Sequence, residues 1–227
     1  MIEIIFKNED FVVFNKPNGV LTHPVNSNSA ISVRDKLLEM EPSIAEWGVE
    51  KREGIVHRLD KVTSGLIVAA LNFETFTYLQ SLFKERKVYK EYSCLVEGHL
   101  KTQSGVIELP LSKSKKNKTK RAVSNEGKIS TSHFEVIDEY ENCTKLKIQL
   151  ITGRNHQIRS QMEYLGNPIL NDVLYSAKKI ESLSKDQICL VSKKLQFNHK
   201  SNNYEFEATE PDFFNACLLY TSDAADE

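Results

Sequence analysis

Cysteine occurs four times in this chain of 227 residues and never in a pattern. Cys94, Cys143, Cys189 and Cys217 form no CxxC pair and have no clustered histidines, so neither a zinc site nor a disulfide framework is suggested. Charge of one sign is also lacking: the formal net charge is −1, so any polyanionic partner must be met by a local patch. No apolar run approaches the roughly 20 residues that span a bilayer. The opening Met1-Ile2-Glu3-Ile4-Ile5-Phe6-Lys7 has neither the basic nor the long apolar region of a signal peptide. These absences predict a cytoplasmic protein without a membrane segment or a structural metal, and a monomer is expected. Hydrophobic content of 40% and charged content of 27% are those of an ordinary globular chain.

No repeat, long linker or composition shift divides the sequence, so residues 1–216 are expected to form one domain. The last eleven residues, Cys217 to Glu227, resemble a translated sequencing adapter and are set aside from fold reasoning. Without them the chain carries 30 basic and 28 acidic residues, a net of +2.

Ile2–Phe6 and Phe11–Asn15 read as a hairpin, followed by the turn signal Lys16-Pro17-Asn18-Gly19. Helical spacing of Ile31, Leu37 and Leu38 predicts a helix over Ile31–Met40, with Ser29 as cap and Pro42 as stop. Leu66–Leu71 is continuously apolar, as for a strand buried on both faces. Asn72 caps a helix over Phe73–Arg86 with the stripe Phe76, Leu79, Leu82 and Phe83. Strands follow over Val88–Glu97, Val106–Leu109, Ile129–Ile137, Thr144–Ile151, Ile188–Phe197 and Tyr204–Ala208. A short helix over Gln157–Leu165 turns Ile158, Met162 and Leu165 to one face and ends at Gly166. Many strands with few helices predict an α+β fold around a mixed, mostly antiparallel sheet.

Three polar concentrations could carry chemistry. His57-Arg58-Leu59-Asp60-Lys61-Val62-Thr63-Ser64 puts a carboxylate, a guanidinium, an imidazole and two hydroxyls just ahead of the buried strand. Rigid scaffold of that kind is what a catalytic group needs, although a capped turn with one ion pair is the plain alternative. Asp60 could act as nucleophile, general base or structural partner, and no second carboxylate of matching context accompanies it for glycosidase chemistry. Thr152-Gly153-Arg154-Asn155-His156-Gln157-Ile158-Arg159 lies at a strand-to-helix junction, where backbone donors favour anions, or is a surface helix start dressed with solvated bases. Lys113-Ser114-Lys115-Lys116-Asn117-Lys118-Thr119-Lys120-Arg121 is either a solvated loop or a mobile arm that neutralises phosphates. Tyr89 and Tyr92 offer faces on which a base could stack.

Asp10–Pro24, Ile55–Ala70, Val88–Gly98 and Thr152–Asp172 resemble, in that order, the signature blocks of RluA-type pseudouridine synthases. The resemblance implies the pseudouridine synthase fold and an enzyme that isomerises uridines in rRNA or tRNA stem-loops without a cofactor. It makes Asp60 the catalytic aspartate, by attack at C1′ or by removal of the 2′ proton. Tyr92 becomes the tyrosine that stacks on uracil and serves proton removal from C5, and Arg159 the partner of the aspartate. Arg58 is implied to enter the RNA stack beside the flipped nucleotide, a step such chemistry on a base requires. His57, Thr63, Arg154, His156 and Lys16 complete the expected RNA-facing set, with Lys16 and Pro17 supporting rather than reacting. The sequence departs from the family at Val62 and at Gln161, where a histidine is usual. A protein that keeps the fold and binds RNA without catalysis is the alternative.

Overall fold

Turn and cap chemistry sets the succession of elements. The computed structural model describes residues 1–24, 31–47 and 53–223. In chain order these form β1 (Glu3–Lys7), β2 (Phe11–Lys16), α1 (Val33–Met40), a 3-10 turn (Pro42–Trp47), β3 (Ser64–Ala70), α2 (Phe73–Lys84) and β4 (Tyr89–Glu97). There follow β5 (Ser104–Lys113), β6 (Arg121–Val123), β7 (Lys128–Tyr140), β8 (Cys143–Leu150), α3 (Gln157–Leu165), a 3-10 turn (Val173–Tyr175), β9 (Leu190–His199), β10 (Asn202–Glu207) and α4 (Phe213–Asp223). The chain divides into two compact units, residues 1–89 with 192–209 and residues 90–191 with 210–227. Two of the three crossings fall inside strands, β4 and β9, and the third lies between β10 and α4.

In the first unit the strands run in the order β1, β2, β3, β9, β10. The β1–β2 turn is closed by Asn8, whose Oδ1 accepts from the N–H groups of Asp10 (2.9 Å) and Phe11 (2.8 Å). β2 and β3 pair antiparallel from Phe11 opposite Ala70 to Lys16 opposite Gly65, which brings the end of β2 beside the residues that precede β3. Every residue of β3 is buried, as its unbroken apolar run predicts. Phe76, Leu79 and Leu82 of α2 pack in one cluster with Phe11, Val13, Leu66 and Val68, and with Leu195, Phe197 and Phe206 of the later strands. Asn72 caps α2 by accepting from Thr75 N–H at 2.8 Å. The first helix begins two residues later than expected. Ser32 and Asp35 form a reciprocal capping box that starts α1 at Val33, and Ile31 is left 70% exposed. Ser29, expected as the cap, lies outside the described residues.

The second unit orders its strands β4, β8, β7, β5, β6, each neighbouring pair antiparallel. Gly98 ends β4 in the left-handed region at φ 66°. β5, β7 and β10 begin earlier than their apolar cores suggest, because backbone pairing continues through flanking polar residues. β6 was not expected: it pairs Leu111–Lys113 with Arg121–Val123, so the lysine-rich run closes a hairpin. That loop is turned by Asn117, whose Oδ1 accepts from Thr119 N–H at 3.0 Å, and closed by Ser114 N–H on Lys120 O at 3.1 Å. Residues 157–162 at the start of α3 are all buried, whereas Leu165, expected on the apolar face, is 42% exposed. The helix stops there at Gly166, φ 84°. α4 buries Cys217, whose Sγ lies 3.2 Å from that of Cys189. Burial pushes the Cys94 and Cys189 thiols up, which makes them core residues rather than nucleophiles. The α+β class with mostly antiparallel pairing is therefore as expected, and no helix among the described residues is long and apolar enough to cross a membrane.

Gly65, the second residue of β3, has φ +104°, and a Cβ there would meet the carbonyl oxygen of Ser192 at 2.3 Å and its nitrogen at 2.6 Å. Gly65→Ala is therefore expected to destabilise the fold by more than about 2 kcal/mol. Gly153→Ala, whose Cβ would meet only Lys90 Nζ at 3.7 Å, serves as the reference. Urea midpoints of the two variants make the comparison, and equal midpoints would remove the steric account of Gly65.

Candidate active site

Asp60 sits half-buried in the first unit, in the short segment that leads into β3. The backbone on either side of it is tied to residues 16–22 by an unusual density of hydrogen bonds. Thr22 Oγ1 donates to Leu59 O at 2.9 Å and accepts from Leu59 N–H at 3.2 Å. Gly19 N–H donates to Lys61 O at 2.9 Å, and Asn18 Nδ2 donates to Val62 O at 2.6 Å. The turn closes on itself through Thr63 N–H and Asp60 O at 3.1 Å.

Lys16 is at the centre of this fastening. Its side chain is fully buried, and its ammonium donates to the carbonyls of Pro17 (3.1 Å), Val20 (2.9 Å) and Lys61 (3.3 Å). An ammonium has three donors, so the three carbonyls match its full capacity and make burial of the charge tolerable. The lysine thus joins the turn after β2 to the turn that carries Asp60. Thr63 is buried as well, while Arg58 is exposed. His57 is held by the fold: Nε2 accepts from Val68 N–H at 2.9 Å, and the ring stacks on Phe83 with centroids 4.5 Å apart.

In the second unit, Tyr92 of β4 lies opposite Ile148 of β8 and is 7% exposed. The next residue is braced by Glu210, which accepts from Ser93 Oγ at 2.7 Å and from Lys145 Nζ at 2.8 Å. Arg159 lies one turn into α3 and is 4% exposed. Its Nε and Nη2 donate to Asp172 Oδ2 (2.7 Å) and Oδ1 (2.8 Å), a bidentate pair that fixes the plane of the guanidinium. His156 precedes α3 in the left-handed region at φ 53°, with Nδ1 at 2.8 Å from the Tyr175 hydroxyl. Arg154 is exposed and its Nε donates weakly to Ile129 O at 3.4 Å.

His156 and Arg159, three apart in sequence, do reach the same neighbour, the buried Tyr175. Asp172, Tyr175 and Thr22 were not assigned roles from the sequence. A polar residue or tyrosine in a loop has no periodicity to give it away, and only the fold shows that Asp172 faces a buried arginine. Gln161 sits fully buried between strands, accepting from Ser132 Oγ at 2.7 Å and donating to Ser130 O at 3.2 Å. Lys120 is drawn out of the cationic run, since its Nζ pairs with Glu163 Oε1 at 2.6 Å. No group of three or more metal-binding side chains occurs among the described residues.

Residues 10–164 match the family model for RNA pseudouridylate synthase. The chain is 35% identical over 177 residues to ribosomal large subunit pseudouridine synthase D of Haemophilus ducreyi, covering 78% of this chain and 53% of that one. It is 32% identical over 213 residues to an uncharacterized RNA pseudouridine synthase of Bacillus subtilis, covering 93% of this chain and 70% of that one. This chain thus spans about half the length of the first of these relatives. Two solved structures share the fold: human RNA pseudouridylate synthase domain containing 1 (TM-score 0.75, 23% identity) and domain containing 4 (TM-score 0.76, 22% identity). The match covers 97% of this chain in both cases, with 87% and 93% of the respective structures.

Lys16→Met would take this donor from the carbonyls of Pro17 and Val20, while Lys61 O keeps Gly19 N–H, and is expected to destabilise the fold by about 2 kcal/mol. Release of the Asp60 turn should also speed tryptic cleavage after Arg58 and Lys61. Urea unfolding and timed proteolysis test both. An unchanged midpoint with unchanged cleavage would show that the ammonium does not hold the turn.

Proposed function

The chain belongs to the RNA pseudouridylate synthase family, and from that premise we propose that it isomerises uridine to pseudouridine in RNA. The observation that carries the reading is the fastening of the Asp60 turn. The segment bearing this carboxylate is held on rigid scaffold by hydrogen bonds from residues 16–22, within the matched region. Fixed placement of a reacting group is where much of an enzyme's advantage arises. Residues 1–216 are read as one catalytic domain.

In this reading Asp60 breaks the bond between the base and C1′ and supports its return through C5, without a cofactor. Tyr92 lies against the uracil and its hydroxyl serves the proton leaving C5. Arg159, its guanidinium held in plane by Asp172, is assigned to the same reaction. Arg58, exposed at the start of the motif, occupies the stack beside the extruded nucleotide. Thr63, Arg154 and His156 join the RNA-facing set, while His57 and Lys16 act on RNA through the turn they support. Ribosomal RNA is the favoured target over tRNA, because relatives of substantial identity are named for the large ribosomal subunit. The protein is read as a cytoplasmic monomer.

Asp60→Asn should abolish isomerisation while RNA affinity stays within a few-fold of wild type, because an amide neither attacks nor accepts a proton usefully. Tritium release from [5-³H]uridine-labelled ribosomal RNA, taken from cells lacking the gene, measures it. Turnover within tenfold of wild type would sink the role of Asp60. Carbodiimide-blocked reverse transcription on the same RNA locates the target.

The hairpin lysines supply a separate prediction. Lys113, Lys115, Lys116 and Lys118 are exposed, whereas Lys120 is engaged by Glu163. Changing the four exposed lysines to Gln should weaken RNA binding and reduce its log–log salt slope by about 0.7–0.9 for each phosphate no longer neutralised. Turnover at saturating RNA should hold. An unchanged slope would make the hairpin a solvated loop only.

A further inference from the structure

Tyr175 is the one fully buried tyrosine of the second unit's described residues, and its surroundings are not those of a side chain that merely fills space. The Arg159 guanidinium carbon lies 4.7 Å from its ring centroid and the Lys120 ammonium 4.8 Å. Two cations against one ring in a buried setting place charge on the π face, where it is attracted rather than merely desolvated. The hydroxyl is equally committed. It accepts from Arg121 N–H at 2.8 Å and meets Nδ1 of His156 at 2.8 Å.

These contacts come from three directions. Lys120 and Arg121 are the closing residues of the lysine-rich hairpin, His156 is the residue before α3, and Arg159 is one turn into that helix. Tyr175 also shares a 3-10 turn with the other holder of Arg159, since Tyr175 N–H donates to Asp172 O at 2.8 Å. The carboxylate that grips the guanidinium edge and the ring that lies against it are thereby set at one spacing. Lys120 is fixed in turn by Glu163 Oε1 at 2.6 Å, which also accepts from Ser176 Oγ at 2.6 Å.

We propose that Tyr175 is a positioning residue for the isomerisation: its ring orients Arg159, and its hydroxyl ties that arginine's setting to the base of the cationic hairpin. The inference rests on the reading that Arg159 serves the reaction. Its physical content is a division of labour within one side chain. The ring governs the rate of the chemical step through Arg159, and the hydroxyl governs how RNA is held through Arg121 and the hairpin.

The test separates the two. Tyr175→Leu removes ring and hydroxyl, and should slow single-turnover tritium release from the labelled ribosomal RNA about 100-fold, the scale expected for misplacing an oriented group. In an Arg159→Lys background the same change should cost less than about twofold, because contacting residues that act through one another are not additive. Equal loss in both backgrounds overturns the proposal, since a general packing defect would add. Tyr175→Phe keeps the ring, and should hold the single-turnover rate within about threefold while raising KM about fivefold, the scale of one missing hydrogen bond. Where the leucine variant does not fold, or the lysine background is too slow to read, the phenylalanine variant decides. A KM equal to wild type, or a fall in rate without a change in KM, overturns the proposal. Wild-type protein that releases no tritium overturns the isomerase reading and this inference with it. An active wild type with an equally active Tyr175→Leu variant overturns this inference alone.

Discussion

The burial of a single ammonium constrains the part of the first unit that matters most. Lys16 is fully buried, and a cation without water must find its donors' partners within the protein or lose its charge. Its three carbonyl acceptors belong to Pro17, Val20 and Lys61, so satisfying the charge forces two segments 45 residues apart to meet. Once they meet, the neighbouring contacts from Asn18, Gly19 and Thr22 follow at short range, and the backbone around Asp60 has little freedom left. The pairing of Lys16 with Gly65 at the end of the β2–β3 ladder sets the distance over which this happens. Gly65 is required at that point because Ser192 leaves no room for a Cβ.

The second unit solves a similar problem with a different cation. Arg159 is nearly as buried as Lys16, yet it is compensated by a carboxylate and a π face rather than by neutral carbonyls. The difference suits the two side chains. Ammonium donors spread in three directions and accept scattered carbonyls, whereas a planar guanidinium takes a bidentate edge partner and a ring against its face. The first arrangement fixes a turn; the second fixes the plane of the side chain itself. Removing Asp172 would therefore take the bidentate carboxylate from a buried guanidinium, an outcome costlier than the absence of the pair altogether.

Much of this was legible in the residues, and the exceptions share a cause. β3 and α2 could be read because the apolar run of the one and the apolar stripe of the other are plain and Asn72 marks the helix start, although β3 begins two residues before the apolar run and α2 stops two residues short of Arg86. α3 and its Gly166 stop were read to the residue. α1 was placed two residues early because two serines precede it, and only Ser32 has an acidic residue at capping-box distance, Asp35. β6 escaped notice because three residues at the foot of a lysine run carry no periodicity. Asp60 and Arg159 stood out by motif. The residues that hold them, Thr22, Asp172 and Tyr175, are loop groups whose partners are distant in sequence and visible only once the chain is folded.

Gln161, where the resembling family usually has a histidine, has a structural task of its own. With Gln157 one turn before it, it locks α3 to β7 through the single hydroxyl of Ser132, which accepts from Gln157 Nε2 at 2.8 Å and donates to Gln161 Oε1 at 2.7 Å. Each amide supplies one acceptor and two donors, and Gln157 spends its own on Thr152, Arg154, Thr131 and Ser132. The seat of the helix that carries Arg159 is thus set by two uncharged groups at i and i+4 on one face. Neither titrates, so the orientation of Arg159 against the sheet does not vary with protonation at position 161. A histidine there would add a titratable group to a fully buried site, whereas the amide leaves the charge nearby to Arg159 and Asp172.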